Sequence, residues 1–341
     1  TIMMIMNGLS LAIYWIGAVL INDAQDMQEK FTLFSDMVVF SSYAMQVVMS
    51  FMMLVMIFIM LPRASVAAKR ILEVLDTEPS IEDGTRDTFP VMKDGEVEFK
   101  DVSFKYPDAE EYVLEHISFS AKKGETIAFI GATGCGKSTA INLIPRFYDA
   151  TEGEVFVDGV NVKEYTQEAL HNKIGYVSQK AILFSGTIAD NVAYGENGKA
   201  PATQDDIAMA VKVAQASEFV EKKDQGYDGY VAQGGSNFSG GQKQRLSIAR
   251  AIARQPEILI FDDSFSALDY KTDRILREAL RKECKDATKI IVAQRIGTIR
   301  DADKIIVLDD GQIAGMGTHD ELMKNCEVYQ EIAYSQLSKE E

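Results

Sequence analysis

Residues 131–138 read Gly-Ala-Thr-Gly-Cys-Gly-Lys-Ser, a glycine, four residues, then Gly-Lys-Ser. That spacing is the pattern of a phosphate-binding loop. Gly131, Gly134 and Gly136 allow backbone N–H groups to converge on an anion, Lys137 brings a mobile charge for the β- and γ-phosphates, and the Ser138 hydroxyl is a hard oxygen suited to Mg2+. Thr133, Cys135 and Thr139 complete the segment expected to meet the nucleotide, which we read as ATP. Cys135 has two readings, an activated thiol beside Lys137 or a small filler whose backbone alone meets the phosphates. Farther along, polar residues close apolar runs at Gln179, Asp262 and Gln294. Asp262 could hold Mg2+, and Gln179 is neutral and long enough to reach the metal or an attacking water.

These groups need elements that present them together. Thr126-Ile127-Ala128-Phe129-Ile130 before the loop suits a buried strand, and Thr139 to Ile144 after it suits a helix, so the strand-loop-helix context is present. Further strands are expected at 97–104, 117–121, 154–157, 174–179, 258–261, 289–293 and 304–308, the first two alternating as antiparallel strands do. Tyr106 falls on a turn between them. A mainly helical stretch covers 187–254 and contains Phe238-Ser239-Gly240-Gly241-Gln242, followed by a helix to about Ala253. Strands alternating with helices predict an α/β core with its ligand at the carboxyl ends of the strands.

The first part of the chain has a different composition. Thr1 to Ile21 carries no charge, and Met37 to Leu61 is an uncharged run of 25 residues, whereas a membrane helix needs only about 20. Two transmembrane helices are predicted. The acidic connection Asn22 to Lys30 and the basic Arg63, Lys69 and Arg70 after the second run place the loop outside and everything after Pro62 in the cytoplasm. The expected division is 1–61 for the spans, 62–88 for a helical extension and polar linker, and 89–341 for a nucleotide-binding domain that starts near Phe89. A net charge of −16 argues against nucleic acid as a partner, since a polyanion is bound by clustered Lys and Arg. The three cysteines, Cys135, Cys284 and Cys326, are widely spaced and show no metal-binding pattern.

Taken together the motifs resemble those of an ABC transporter half of the exporter type, and the resemblance covers essentially the whole chain. Residues 131–138 match its Walker A loop, Tyr106 its adenine-stacking aromatic, Gln179 its Q-loop, and 238–242 its LSGGQ signature with Phe238 in place of Leu. Ile258 to Asp262 match Walker B, and Ser266-Ala267-Leu268-Asp269 the D-loop. The resemblance implies a P-loop NTPase core with an antiparallel β subdomain and a helical subdomain. It also implies that residues 1–61 are the last two helices of a truncated membrane domain. In the family the signature of one subunit, here Phe238, Ser239, Gly240, Gly241 and Gln242, closes over ATP bound by the other, and the resemblance counts Asp269 of the D-loop among the nucleotide-binding residues.

Two positions depart from the family. Asp263 stands where a Glu general base is usual, and Gln294, in Ala293-Gln294-Arg295, stands where the switch His is usual. Asp is one methylene shorter than Glu, and Gln can neither take a proton nor carry charge. The resemblance therefore implies a slow site on this chain and an intact signature serving a partner's site. The expected assembly is a heterodimer of two half-transporters in the plasma membrane, moving a small hydrophobic or amphipathic molecule outward.

Overall fold

The computed structural model describes residues 2–87 and 95–337, so the expected domain start at Phe89 lies outside the described residues. The chain forms two units, Thr1–Ser80 and Ile81–Glu341.

The first unit is a pair of helices, Ile2–Asp23 and Met27–Leu75, of 22 and 49 residues. Both are long and apolar enough to cross a membrane. Large side chains such as Trp15, Phe40 and Phe58 are exposed on them, a surface that lipid solvates and water does not. The second helix continues beyond the apolar run, through Pro62, to Leu75.

The second unit is built on two sheets. The larger has six strands in the spatial order Gln312–Gly317, Lys304–Asp309, Thr126–Ile130, Thr288–Val292, Ile258–Asp262, Ile174–Val177. The five from Lys304–Asp309 onward are mutually parallel, and Gln312–Gly317 pairs antiparallel at the edge. Three central strands, Thr126–Ile130, Ile258–Asp262 and Thr288–Val292, are buried at every residue, as a parallel sheet covered on both faces requires.

Strict alternation divides that sheet's side chains between two cores. Ala128, Ile130, Leu259, Phe261 and Ile291 pack with the helical part of the unit. Ile127, Phe129, Ile258, Ile260 and Ile290 pack toward the smaller sheet. That sheet is antiparallel, in the order Leu114–Ala121, Val97–Phe104, Glu152–Val157, Val160–Asn161. Phe119 ties the two sheets together, stacking on Phe99 at 4.5 Å and meeting Phe129 edge-on at 5.4 Å. The helical part comprises Ile188–Val192, Gln204–Val213, Ser217–Glu221 and Gly240–Ala253. Residues 81–86, expected as linker, engage this unit: Gly84 and Arg86 donate their backbone N–H groups to the carbonyls of Tyr165 and Glu164.

An ionic joint links the smaller sheet to the core. Lys173 Nζ donates to Asp158 Oδ2 and to Glu257 Oε2, both at 2.8 Å. Burial pushes the Asp158 carboxyl up to about 6, with Lys173 opposing the shift. A carboxyl that holds its proton more tightly in the folded than in the unfolded chain favours the fold in acid, and that contribution is lost as pH rises through about 6. Lys173→Met should therefore destabilise the protein by about 3 kcal/mol near neutral pH, because two carboxylates lose their shared cation. The loss should shrink at about pH 5 as Asp158 takes up a proton. Thermal unfolding of both proteins at the two pH values checks this, and an equal loss at both would contradict it.

Candidate functional site

The phosphate loop leaves the carboxyl end of Thr126–Ile130 and enters the helix Lys137–Asn142. Glycine is required at two points. A Cβ on Gly131 would collide with the carbonyl oxygen of Leu308, and Gly136, at φ 95°, would bring a Cβ to 2.9 Å from the Val113 carbonyl. Lys137 is buried and folds back on the loop, donating through Nζ to the carbonyls of Gly131 at 2.9 Å and Ala132 at 2.6 Å. Its ammonium is thus held at the loop, where it can serve a phosphate. Cys135 is 6 % exposed, with Sγ 3.5 Å from Lys137 Nζ. Its burial suits the filler reading.

Three other parallel strands end beside the loop. Ser138 Oγ donates to Asp262 Oδ1 at 2.7 Å, joining the loop helix to the end of Ile258–Asp262. The next carboxylate, Asp263, has φ 44° and accepts two amides on one oxygen: Gln294 Nε2 at 2.8 Å and Gln179 Nε2 at 3.3 Å. Gln179 follows the strand Ile174–Val177, and Gln294 follows Thr288–Val292. Burial raises both aspartates above the ordinary carboxylate range. The hydrogen bond from Ser138 opposes the rise at Asp262 and that from Gln179 opposes it at Asp263, while the Asp262 charge adds to the rise at Asp263. A hydroxyl, a carboxamide and two partly desolvated carboxylates make a hard-oxygen donor set of the kind a magnesium ion takes. The loop with its glycine cradle likewise fits a triphosphate.

Tyr106 lies where the antiparallel sheet approaches the loop helix. Its hydroxyl is 3.1 Å from Thr139 Oγ1, and its ring meets Phe104 and Tyr148 edge-on at 5.0 and 5.2 Å. Two aromatic neighbours fix the ring and leave it suited to stacking. Tyr106→Ala should weaken ATP binding by about 1–3 kcal/mol, the value of base stacking on an aromatic side chain. Equilibrium binding of labelled nucleotide measures the change, and unaltered affinity would remove Tyr106 from the site.

The segment Phe238 to Gln242 stands at the start of the helix Gly240–Ala253. Phe238 is its buried anchor, with Lys223 Nζ 4.2 Å above its ring. Ser239 and Gln242 form a reciprocal cap: Gln242 N donates to Ser239 Oγ at 3.3 Å, and Ser239 N donates to Gln242 Oε1 at 3.0 Å. Beyond Gly240 a Cβ would meet open space, whereas at Gly241 it would lie 3.1 Å from the Ala267 carbonyl. Asp269 caps the following helix, Tyr270–Glu283, through Thr272, whose hydroxyl and N–H hold the Asp269 carboxyl below its usual range.

Lys137, Ser138, Gln179, Asp262, Asp263 and Gln294 therefore converge at the strand ends, with Tyr106 joined through Thr139. Residues 238–242 form a separate helix start, exposed at Ser239 and Gly240 and anchored by buried Phe238. Three participants escaped the sequence reading. Tyr176 donates to Asn142 Oδ1 at 2.9 Å and lies 3.5 Å from Asp262 Oδ2. Its position on a strand three residues before Gln179 was the available signal. Arg295 and Gln336 act on backbone carbonyls, for which a sequence gives no sign.

A family profile described as ABC transporter matches residues 114–266. The chain is 45% identical over 331 residues, 97% of its length, to an uncharacterized ABC transporter ATP-binding protein of Mycobacterium bovis, of which it covers 56%. It is 42% identical over 276 residues, 81% of its length, to an ATP-dependent lipid A-core flippase of Haemophilus influenzae, of which it covers 46%. The chain thus spans about half the length of these curated relatives. Among solved structures, a bacterial Atm1-family ABC exporter with ATP bound superposes with a TM-score of 0.80 at 34% identity, over 89% of this chain and 53% of that one.

Proposed function

Because this chain belongs to the ABC transporter family, we propose that it is one half of an ATP-driven exporter. Its own nucleotide site binds ATP and turns it over slowly, while its signature completes the fast site of a second, different half. The substrate is a small hydrophobic or amphipathic molecule moved outward across the plasma membrane, with everything after Pro62 in the cytoplasm. The division proposed for the chain is spans in 1–61, a helical extension and linker in 62–88, and the nucleotide-binding domain in 89–341.

In this reading Tyr106 stacks on the adenine and residues 131–139 hold the phosphates. Ser138, Asp262 and Gln179 hold Mg2+, which when bound supplies positive charge to the phosphate oxygens. The observation that carries the slow-site reading is the environment of Asp263. Its single methylene keeps the carboxylate close to the strand end, and one of its oxygens is occupied by the amides of Gln179 and Gln294. The two amides oppose the rise that burial gives this carboxyl and occupy the oxygen that would face a water, and neither amide can exchange a proton with it. Proton transfer by a well-placed base is worth about 10²- to 10⁴-fold in rate.

The exposed signature supports the other half of the reading. Its N–H groups start a 14-residue helix, and at the first residue, Gly240, there is open space for an incoming anion. The test is steady-state ATP hydrolysis by the membrane-reconstituted protein, alone and with a second half bearing Glu and His at the positions equivalent to Asp263 and Gln294. The expected result is ATP binding with little turnover alone and strong turnover in the pair. Equal, fast hydrolysis by the isolated subunit would sink the heterodimer.

A further inference from the structure

The last described helix, Glu327–Leu337, reaches the switch position. Tyr329, fully enclosed, seats this helix in the core that also contains Ala293 and Ile299, with Val328 and Ile332 packed against it. The Tyr329 hydroxyl is also 2.8 Å from His319 Nδ1, so the helix is pinned upstream of its final turn. From that turn Gln336 Nε2 donates to the Gln294 carbonyl at 2.7 Å, and Gln336 Oε1 accepts from Ile296 N at 2.9 Å.

This geometry differs from an ordinary surface contact. Arg295 is extended, at φ −102° and ψ 128°, so the carbonyl of the residue before it and the N–H of the residue after it point the same way. One planar carboxamide satisfies both, as a neighbouring strand would. The peptides on either side of Arg295 are therefore fixed by a single side chain, 42 residues beyond Gln294.

Two outputs leave the fixed segment. The Gln294 side chain goes to Asp263 Oδ2. The Arg295 guanidinium donates to the carbonyls of Ser266 at 3.3 Å and Leu268 at 3.4 Å. Ser266 closes the loop by donating its hydroxyl to the Asp263 carbonyl at 2.8 Å.

We infer that Gln336 is a positioning residue, which clips the backbone at Gln294 and Ile296 and thereby sets the Gln294 carboxamide against Asp263 and Arg295 against residues 266–268. The helix 327–337 is the element through which the site is restrained, and anything that displaces it alters turnover without touching the nucleotide. The effect on turnover rests on the proposed role of Asp263 as the base; the clip itself does not.

The test uses the purified complex with Gln336→Ala and Gln336→Glu, read by hydrogen exchange and by single-turnover hydrolysis at this chain's site. Both replacements suit a helix end, so the fold should be kept. In Gln336→Ala the amides of 294–299 should exchange about tenfold faster, the size expected for two lost hydrogen bonds, while Thr288–Val292 stays protected. Turnover should rise severalfold as Asp263 loses one amide, with ATP affinity unchanged because Tyr106 and Lys137 are untouched. Gln336→Glu keeps an acceptor for Ile296 N and sets a carboxylate against the Gln294 carbonyl. It should restore protection at Ile296 and keep the raised turnover. Unchanged exchange in Gln336→Ala overturns the clip. Faster exchange with unchanged or lower turnover overturns the positioning role and leaves the proposed exporter function intact. A wild-type complex that fails to hydrolyse ATP counts against that function instead, and the exchange measurement still decides the clip.

Discussion

Ser239→Arg should abolish ATP hydrolysis and transport by the assembled pair while leaving ATP bound at this chain's own loop. Ser239 is exposed at the first turn of the helix Gly240–Ala253, and its side chain caps that turn through Gln242 N. Arginine removes the cap, worth about 1 kcal/mol, and places a long cation where the partner's γ-phosphate should dock. The larger loss is geometric, because helix N–H groups must approach the phosphate directly to stabilise charge there. Gly240→Asp acts differently, adding a negative charge beside the same phosphate in a position where the structure leaves room for it. Photo-crosslinking of labelled ATP to each subunit, paired with turnover of the reconstituted complex, separates the two sites. Normal turnover in either mutant would mean that this signature does not serve the catalytic site.

The opposite result is expected from Asp263→Glu combined with Gln294→His, where turnover at this chain's site should rise by about 10²-fold. Glutamate carries its carboxylate one methylene farther from the strand end, and histidine brings a group that can exchange a proton. The double change also takes away one of the two amides now bound to Asp263 Oδ2. It has a cost: residue 263 sits at φ 44°, a region Asp tolerates better than Glu. A modest drop in melting temperature should accompany the gain. Single-turnover hydrolysis of ATP trapped at this site measures it, and no increase would place the impairment elsewhere.

The loop proposed to hold phosphate was legible because that chemistry restricts both residue type and spacing. Gly131, Gly136, Lys137 and Ser138 follow a buried apolar strand, and only such a segment brings loop and helix start together. The parallel strands were legible for a related reason, since burial on both faces produces the apolar runs 126–130, 258–261 and 289–293. The edge of the sheet was not. Gln312–Gly317 alternates exposed and half-buried residues and contains two glycines, so its pattern falls below that of a turn. The polar connection 81–86 also read as linker, because its attachment combines backbone hydrogen bonds to Glu164 and Tyr165 with an exposed Arg86–Glu164 ion pair, and neither leaves an apolar pattern. Gln336 stayed hidden because a side chain that binds main chain leaves no complementary residue to find.

The helix Met27–Leu75 has a mechanical consequence. Forty-nine residues at about 1.5 Å each make a rod roughly 73 Å long, more than twice the hydrocarbon thickness of a bilayer. Its two ends are therefore not independent. If it pivots as one body about Met27, a tilt of about 10° carries Leu75 through roughly 13 Å, on the order of two helical turns. The place where this leverage can leak is Pro62, which has no N–H for the preceding turn and so marks the softest joint along the rod. Stiffness at that one residue sets how much of a rotation among the apolar side chains arrives at Leu75 as displacement.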